Sequence, residues 1–235
     1  ILALCEPGDE VVTFEPYYDS YAASIALAGA TRRTVRLRWP DLSFAVDELR
    51  SCFTQRTRMV LLNTPHNPTG KVFSADELAT VAELAQEFDA WVVTDEVYEH
   101  LVYDGARHIP MCTLPGMAER TLTISSGGKT FNTTGWKVGW VHGPAQAVNA
   151  VRGVKQFLTF VGSGPFQPAI AAGLRLPDSF FSEFTATMQG RRDLIAKALA
   201  EAGFEVGPCP GGYFVVADAC LLYTSDAADD SLRVD

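Results

Sequence analysis

The feature that most constrains this chain is an alternation of strand-like and helix-like runs along most of its length. Residues 11–14, 34–37, 59–62, 91–94, 122–125 and 138–141 are short apolar runs of the kind that form buried strands. Between and after them, helical periodicity covers residues 17–28 (closed by Gly29), 46–53, 145–160, 166–174 and 178–202. Ser74-Ala75-Asp76-Glu77 is a capping box, followed by apolar Leu78, Val81, Leu84, Ala85 and Phe88 at helical spacing. Strands separated by helices of this length predict an α/β fold, a mainly parallel central sheet with helices on both faces. Ligands of such sheets sit beyond the carboxyl ends of the strands. The residues that follow Leu62, Thr94 and Ser125 are therefore the places to look for chemistry.

All three strand ends run into unusual polar stretches. After Leu62 comes Asn63-Thr64-Pro65-His66-Asn67-Pro68-Thr69-Gly70, which prolines and glycine hold out of regular structure. It reads equally as a plain connection or as a rigid loop offering the Asn67 amide to a ligand oxygen. After Thr94, Asp95 extends an apolar strand, where an ionised carboxylate is costly unless paired or hydrogen-bonded. Asp95 is thus a helix cap, a satisfied structural aspartate or a carboxylate facing a buried cation, and Tyr98 can reach the same place. After Ser125 comes Ser126-Gly127-Gly128-Lys129-Thr130-Phe131, leading to Gly135-Trp136-Lys137-Val138-Gly139-Trp140. Gly-Lys-Thr suggests a P-loop, but that motif needs a glycine where Thr123 stands, and no helix signal follows Thr130. Glycines before Lys129 and aromatics after it point instead to a tight, enclosed setting.

Composition removes other classes. The net charge is -9, of which the last fifteen residues contribute -3 through four Asp and one Arg. The remaining acidic body lacks the excess of Lys and Arg that nucleic-acid binding requires. Apolar runs are too short to span a bilayer, so no membrane segment is expected. Cys5, Cys52, Cys112, Cys209 and Cys220 are scattered without a C-x-x-C pair, which fits a cytoplasmic protein better than a disulfide framework or a zinc site. No metal is expected. His66, His100, His108 and His142 read as loop or surface residues, Arg191-Arg192 as a solvated helix face, and Phe157 and Phe160 as core.

Taken together, Asn-Pro-Thr-Gly (67–70), Thr-Asp-Glu-Val-Tyr (94–98), Ser-Ser-Gly-Gly-Lys-Thr-Phe (125–131) and Gly-Trp-Lys-Val-Gly-Trp (135–140) resemble the fold type I, class I/II aminotransferases. The likeness runs from about Ile1 to Asp218. It implies a pyridoxal 5'-phosphate cofactor, amino acid and 2-oxo acid substrates, ping-pong transamination and a homodimer. By resemblance, Lys129 forms the Schiff base and moves the substrate proton, and Asp95 pairs with the protonated ring nitrogen. Asn67 and Tyr98 bond the ring's 3'-oxygen, Ser126 and Lys137 hold the phosphate, and Tyr18 covers the ring, with Tyr17 as its alternative. The residue types suit that chemistry. A lysine must lose its proton to attack an aldehyde, and the ring withdraws carbanion charge only while its nitrogen stays protonated.

The motif around Lys129, with Lys155-Gln156 and Pro165-Phe166-Gln167-Pro168, is most similar to a subgroup that includes kynurenine, glutamine and methionine transaminases and N-succinyldiaminopimelate aminotransferases. A same-fold cysteine-conjugate β-lyase and the effector domain of a transcription regulator are the alternatives. Residues 1–176 are expected to form the cofactor-binding large domain, and 177–220 an inter-domain helix with the start of a smaller α+β domain. Residues 221–235, repetitive in Ala and Asp, read as a non-native tail. Ile1 to Cys5 reads as the inside of a domain. The family's amino-terminal phosphate loop and tyrosine, and its carboxylate-gripping arginine, find no match here, so this chain by itself is expected to be inactive.

Overall fold

Arg58 excepted, every residue of the strand Thr57–Asn63 is buried. A strand apolar on both faces needs cover on both, and that requirement organises the molecule. A computed structural model describes residues 1–220. In chain order the elements are β1 (Glu10–Glu15), α1 (Ser20–Leu27), β2 (Thr31–Arg36), α2 (Val46–Ser51), β3 (Thr57–Asn63), α3 (Ala75–Glu87), β4 (Trp91–Asp95) and β5 (Thr121–Ser126). There follow α4 (Gly127–Thr130), β6 (Gly139–His142), α5 (Ala145–Leu158), α6 (Gln167–Gly173), α7 (Asp178–Glu201), β7 (Glu205–Val206) and β8 (Ala217–Asp218).

Six strands form one sheet in the order β2-β1-β3-β4-β5-β6. The first five are parallel, and β6 returns antiparallel to β5. Strand parity divides the core. Val12, Phe14, Val60, Leu62 and Val92 face Leu49 of α2 and Leu78, Val81, Leu84 and Ala85 of α3. Val11, Met59, Leu61, Val93 and Leu122 lie on the other face with Tyr21 and Ile25 of α1 and Ala147 of α5. Each such fully buried aliphatic side chain contributes roughly 1.5–3 kcal/mol of transfer free energy. The capping box is present: Ser74 Oγ accepts from the Glu77 amide at 3.2 Å, while a Glu77 carboxylate oxygen accepts from the Ser74 amide at 2.9 Å.

At the amino end of the sheet, Glu10 is buried and saturated. Its carboxylate accepts from Arg33 at 2.8 Å, Arg56 at 2.8 Å and Thr54 at 2.7 Å, tying β1 to β2 and to the turn before β3. The Arg33 hydrogen bond, outweighing burial, holds that carboxyl down at about 2.

Two readings need correction, and a third holds only in part. Phe157 and Phe160 are 89% and 66% exposed, not core. Helix α5 turns its Ala147 side inward and ends at Leu158, so Phe157 and, past the helix end, Phe160 find no cover within the described residues. Arg192 is not solvated: it bonds Asp104 at 2.7 Å and the Cys209 carbonyl at 2.6 Å, and its guanidinium lies 5.0 Å from the Tyr103 ring centre. His66 and His108 lie in loops, as expected, but neither is at the surface: His66 is buried against Thr69 Oγ1 at 2.8 Å, and burial pushes it down to about 3. His108 pairs with the buried Glu96 at 2.8 Å. Beyond α7 the short β7–β8 ladder forms a separate two-stranded sheet. The expectation of a non-native tail at 221–235 lies outside the described residues.

Candidate active site

Strand register puts the polar strand ends side by side. Asn63 closes β3 opposite Asp95 of β4, and Asp95 lies opposite Ile124 of β5. Beyond these ends lies a cavity of about 410 Å³ lined by Tyr18, Asn67, Asp95, Tyr98, Ser126 and Lys129 among others. Six of the seven residues singled out from the sequence are thus brought together. Lys137 is not: it is exposed at the end of a 3-10 turn, in left-handed backbone (φ 55°, ψ 40°), and does not line the cavity.

Asp95 ends β4 partly buried. Its carboxylate accepts from the Tyr21 hydroxyl at 2.7 Å and the Val97 amide at 3.3 Å. Burial pushes its carboxyl up despite those bonds, and the neighbouring Glu96 charge adds to the rise. No cation offsets it among the described residues. Tyr98 is buried, and burial followed by the Asp95 charge pushes its phenol up to about 12, so it serves as a neutral donor. The Tyr21 phenol is pushed up for the same two reasons.

Asn67 is held by its loop. Its backbone N–H donates to Asn63 Oδ1 at 2.6 Å, and Asn63 Nδ2 donates to the Asp95 carbonyl at 2.7 Å. Asn63 therefore braces the loop to β4. Gly70 closes the loop at φ +73°, where a Cβ would sit 2.8 Å from the Gly211 carbonyl and 2.9 Å from Cys209 Sγ. Only glycine fits both the backbone conformation and the space.

Lys129 stands in the single helical turn α4 rather than in an open loop. Gly127 permits this, since a Cβ there would meet Ile170 at 2.5 Å. The Lys129 ammonium has no ion-pair or hydrogen-bond partner among the described residues and lies 5.8 Å and 5.3 Å from the Tyr98 and Tyr213 ring centres. Ser126 ends β5 and precedes α4, and its neighbour Ser125 donates to Glu99 at 2.7 Å. Tyr18, 45% exposed, packs edge-on to Tyr21 with ring centres 5.6 Å apart.

Sequence reasoning missed Tyr21, Asn63 and Tyr213. The first two left a trace: Tyr21 lies one helical turn past Tyr18, and Asn63 ends an apolar strand in the position equivalent to Asp95. Tyr213 left none, because its partner is far away in the chain.

The set suits one kind of group: a cationic heteroaromatic ring beside Asp95, an aldehyde carbon at Lys129, and an oxygen facing Asn67 and Tyr98. The uncompensated, desolvated Asp95 carboxylate is what a protonated ring nitrogen would neutralise. Comparison with known proteins gives the family. A family model, Aminotransferase class I and II, matches residues 1–232. The chain belongs to the class I and II aminotransferases. It is 49% identical over 97% of its length to a probable N-succinyldiaminopimelate aminotransferase, DapC, of Mycobacterium tuberculosis, and spans 58% of that relative. It is 39% identical to kynurenine–oxoglutarate transaminase 3 of Rattus norvegicus, over 94% of this chain and 53% of the relative. The solved N-succinyldiaminopimelate aminotransferase of M. tuberculosis superposes with a TM-score of 0.91 at 50% identity, covering 95% of this chain and 59% of that one. YbdL of Escherichia coli, described as having a methionine aminotransferase function, gives 0.90 at 37%, covering 95% and 58%. The chain therefore spans a little over half of these proteins. No helix among its described residues is long and apolar enough to cross a membrane.

Proposed function

We propose that the protein is a pyridoxal 5'-phosphate-dependent aminotransferase that moves an amino group between an amino acid and a 2-oxo acid. The observation that carries this reading is the geometry of Asp95, a desolvated carboxylate that accepts two hydrogen bonds and, among the described residues, pairs with no cation, facing the same cavity as the Lys129 side chain. When bound, the cofactor supplies an electron sink for the charge left at the substrate Cα. Lys129 Nζ would hold the cofactor covalently and, once the substrate amine has displaced it, would move the proton at the substrate Cα. Asp95 keeps the proton on the ring nitrogen, and Tyr21 and Val97 N–H keep Asp95 in place. Asn67 and Tyr98 orient the ring through its oxygen, and Tyr18 covers a ring face. Ser126 donates to the phosphate, and Lys137 reaches it only if its exposed side chain turns inward.

The higher identity to the N-succinyldiaminopimelate enzyme than to the kynurenine transaminases favours N-succinyldiaminopimelate over kynurenine as amino donor. Comparing kcat/KM for the two donors tests that choice, and a preference for kynurenine refutes it. A cytoplasmic location is supported by the scattered cysteines, which form no C-x-x-C pair. A homodimer is supported by exposed Phe157, Phe160 and Val161, and sedimentation at monomer mass at micromolar concentration would refute it. The proposed division at residue 176 is supported by the change from the six-stranded sheet to α7 and the β7–β8 ladder.

The central test is spectroscopic. With pyridoxal phosphate the protein is expected to show a visible band that borohydride fixes to Lys129 and that Lys129→Ala lacks. An unchanged band in that variant overturns the assignment. No guanidinium lines the cavity among the described residues, so nothing there grips a substrate carboxylate bidentately. The 235-residue chain alone is accordingly expected not to turn over, and measurable transamination by it refutes this.

A further inference from the structure

The turn that carries Lys129 cannot hold itself. A four-residue helix forms too few internal hydrogen bonds to offset its nucleation cost: the Gly127 carbonyl accepts from the Phe131 amide at 3.0 Å, but the later carbonyls lack such regular helical partners. Local threonines add side-chain bonds to two carbonyls of the turn, of which that of Gly128 also accepts from the Thr133 amide at 3.0 Å. Thr133 Oγ1 donates to the Gly127 carbonyl at 3.1 Å, and Thr134 Oγ1 to the Gly128 carbonyl at 3.0 Å. The Lys129 carbonyl has only a long local bond, from the Asn132 amide at 3.4 Å. Its short bond comes from far along the chain, where the Tyr213 hydroxyl donates to it at 2.5 Å.

Tyr213 is itself firmly seated. The Gly212 amide donates to the Leu101 carbonyl at 2.9 Å, and the Tyr103 hydroxyl donates to the Gly212 carbonyl at 2.8 Å. A Cβ on Gly211 would lie 2.9 Å from the Leu101 carbonyl, from Pro65 and from Val72. The Tyr213 ring lies 5.6 Å from that of Tyr98, centre to centre, so one side chain touches two walls of the site. We infer that Tyr213 is a positioning residue for Lys129, a strut by which the segment after α7 fixes the lysine turn through its backbone. The positioning role rests on the reading of Lys129 as the cofactor lysine, whereas the strut itself does not.

Tyr213→Phe removes one oxygen and leaves the ring, so the fold is expected to survive. In the cofactor-free protein, amide hydrogen exchange across residues 129–133 should quicken roughly five- to tenfold, with β5 unchanged. In the cofactor-loaded protein, visible circular dichroism per unit absorbance should fall by about half while the band remains, because the chromophore is held less rigidly. Tyr213→Leu, which also removes the ring, should lower it further. Exchange in Tyr213→Phe equal to the parent overturns the strut, whatever the cofactor does. Faster exchange with unchanged visible dichroism reduces Tyr213 to a structural contact and overturns the positioning role. If the parent protein forms no visible band, the cofactor reading fails instead, and the exchange result still judges the strut.

Discussion

Two carboxylates taken out of water stand at opposite ends of the same sheet, and they are treated in opposite ways. Glu10, at the amino end, is surrounded by Arg33, Arg56 and Thr54 and held down at about 2. Asp95, at the carboxyl end, has Tyr21 and an amide, pairs with no cation among the described residues, and is pushed up. The first is a completed ion cluster and the second is a charge waiting for a partner. The difference separates a residue that stabilises the fold from one kept for a ligand, because an unpaired desolvated charge costs stability that only binding restores.

The largest expected effect comes from breaking the unfinished end. Asp95→Asn should weaken pyridoxal phosphate binding by roughly two to four orders of magnitude, the range for removing one member of a buried charge pair. The same change should leave the melting temperature of the cofactor-free protein unchanged or raised. A clear loss of cofactor-free stability would show that Asp95 is structural after all. Next is the finished end. Glu10→Gln should cost about 2 kcal/mol, as for hydrogen bonds to charged groups, or roughly 4–8 °C in melting temperature, with cofactor affinity unchanged.

The pH response should carry opposite signs at the two ends. A depressed carboxyl stabilises the fold above its unfolded value, so the Glu10 contribution is expected to fade as pH drops from 4.5 towards 2. A raised carboxyl does the reverse: Asp95 should cost stability as pH climbs above 3.8, until its own raised value is passed. Stability–pH curves of the two amide variants against the parent read both slopes, and equal slopes would erase the contrast. The smallest effect is expected from Tyr21→Phe, which removes one hydrogen bond from Asp95 and should weaken cofactor binding about fivefold in a titration.

Much of this arrangement was legible because it is local. Ser74 and Glu77 announce the start of α3 within four residues, and the apolar runs of β3, β4 and β5 point to their own ends. Asn67, Asp95, Ser126 and Lys129 follow those ends directly, so a rule about parallel sheets was enough to collect them. Tyr213 was not legible and Tyr21 left only its spacing from Tyr18, because their partners lie 84 and 74 residues away, respectively. Apolar periodicity also does not say which stripe of α5 has cover, which is why Phe157 was misjudged. The burial of Arg192, His66 and His108 was missed for a related reason: a polar side chain in a sequence suggests water until a partner such as Asp104, Thr69 or Glu96 is placed against it.

Gly70 has a consequence for how the protein is made. One wall of the Asn67 loop is the Gly211 carbonyl and the Cys209 sulfur, packed too closely for a methyl group. That wall leaves the ribosome about 140 residues after the loop, an interval of roughly 7–28 s at ordinary elongation rates. Throughout that time the nascent chain carries its ligand-facing loop against a missing neighbour. The site is therefore finished late in synthesis, however early its residues are added.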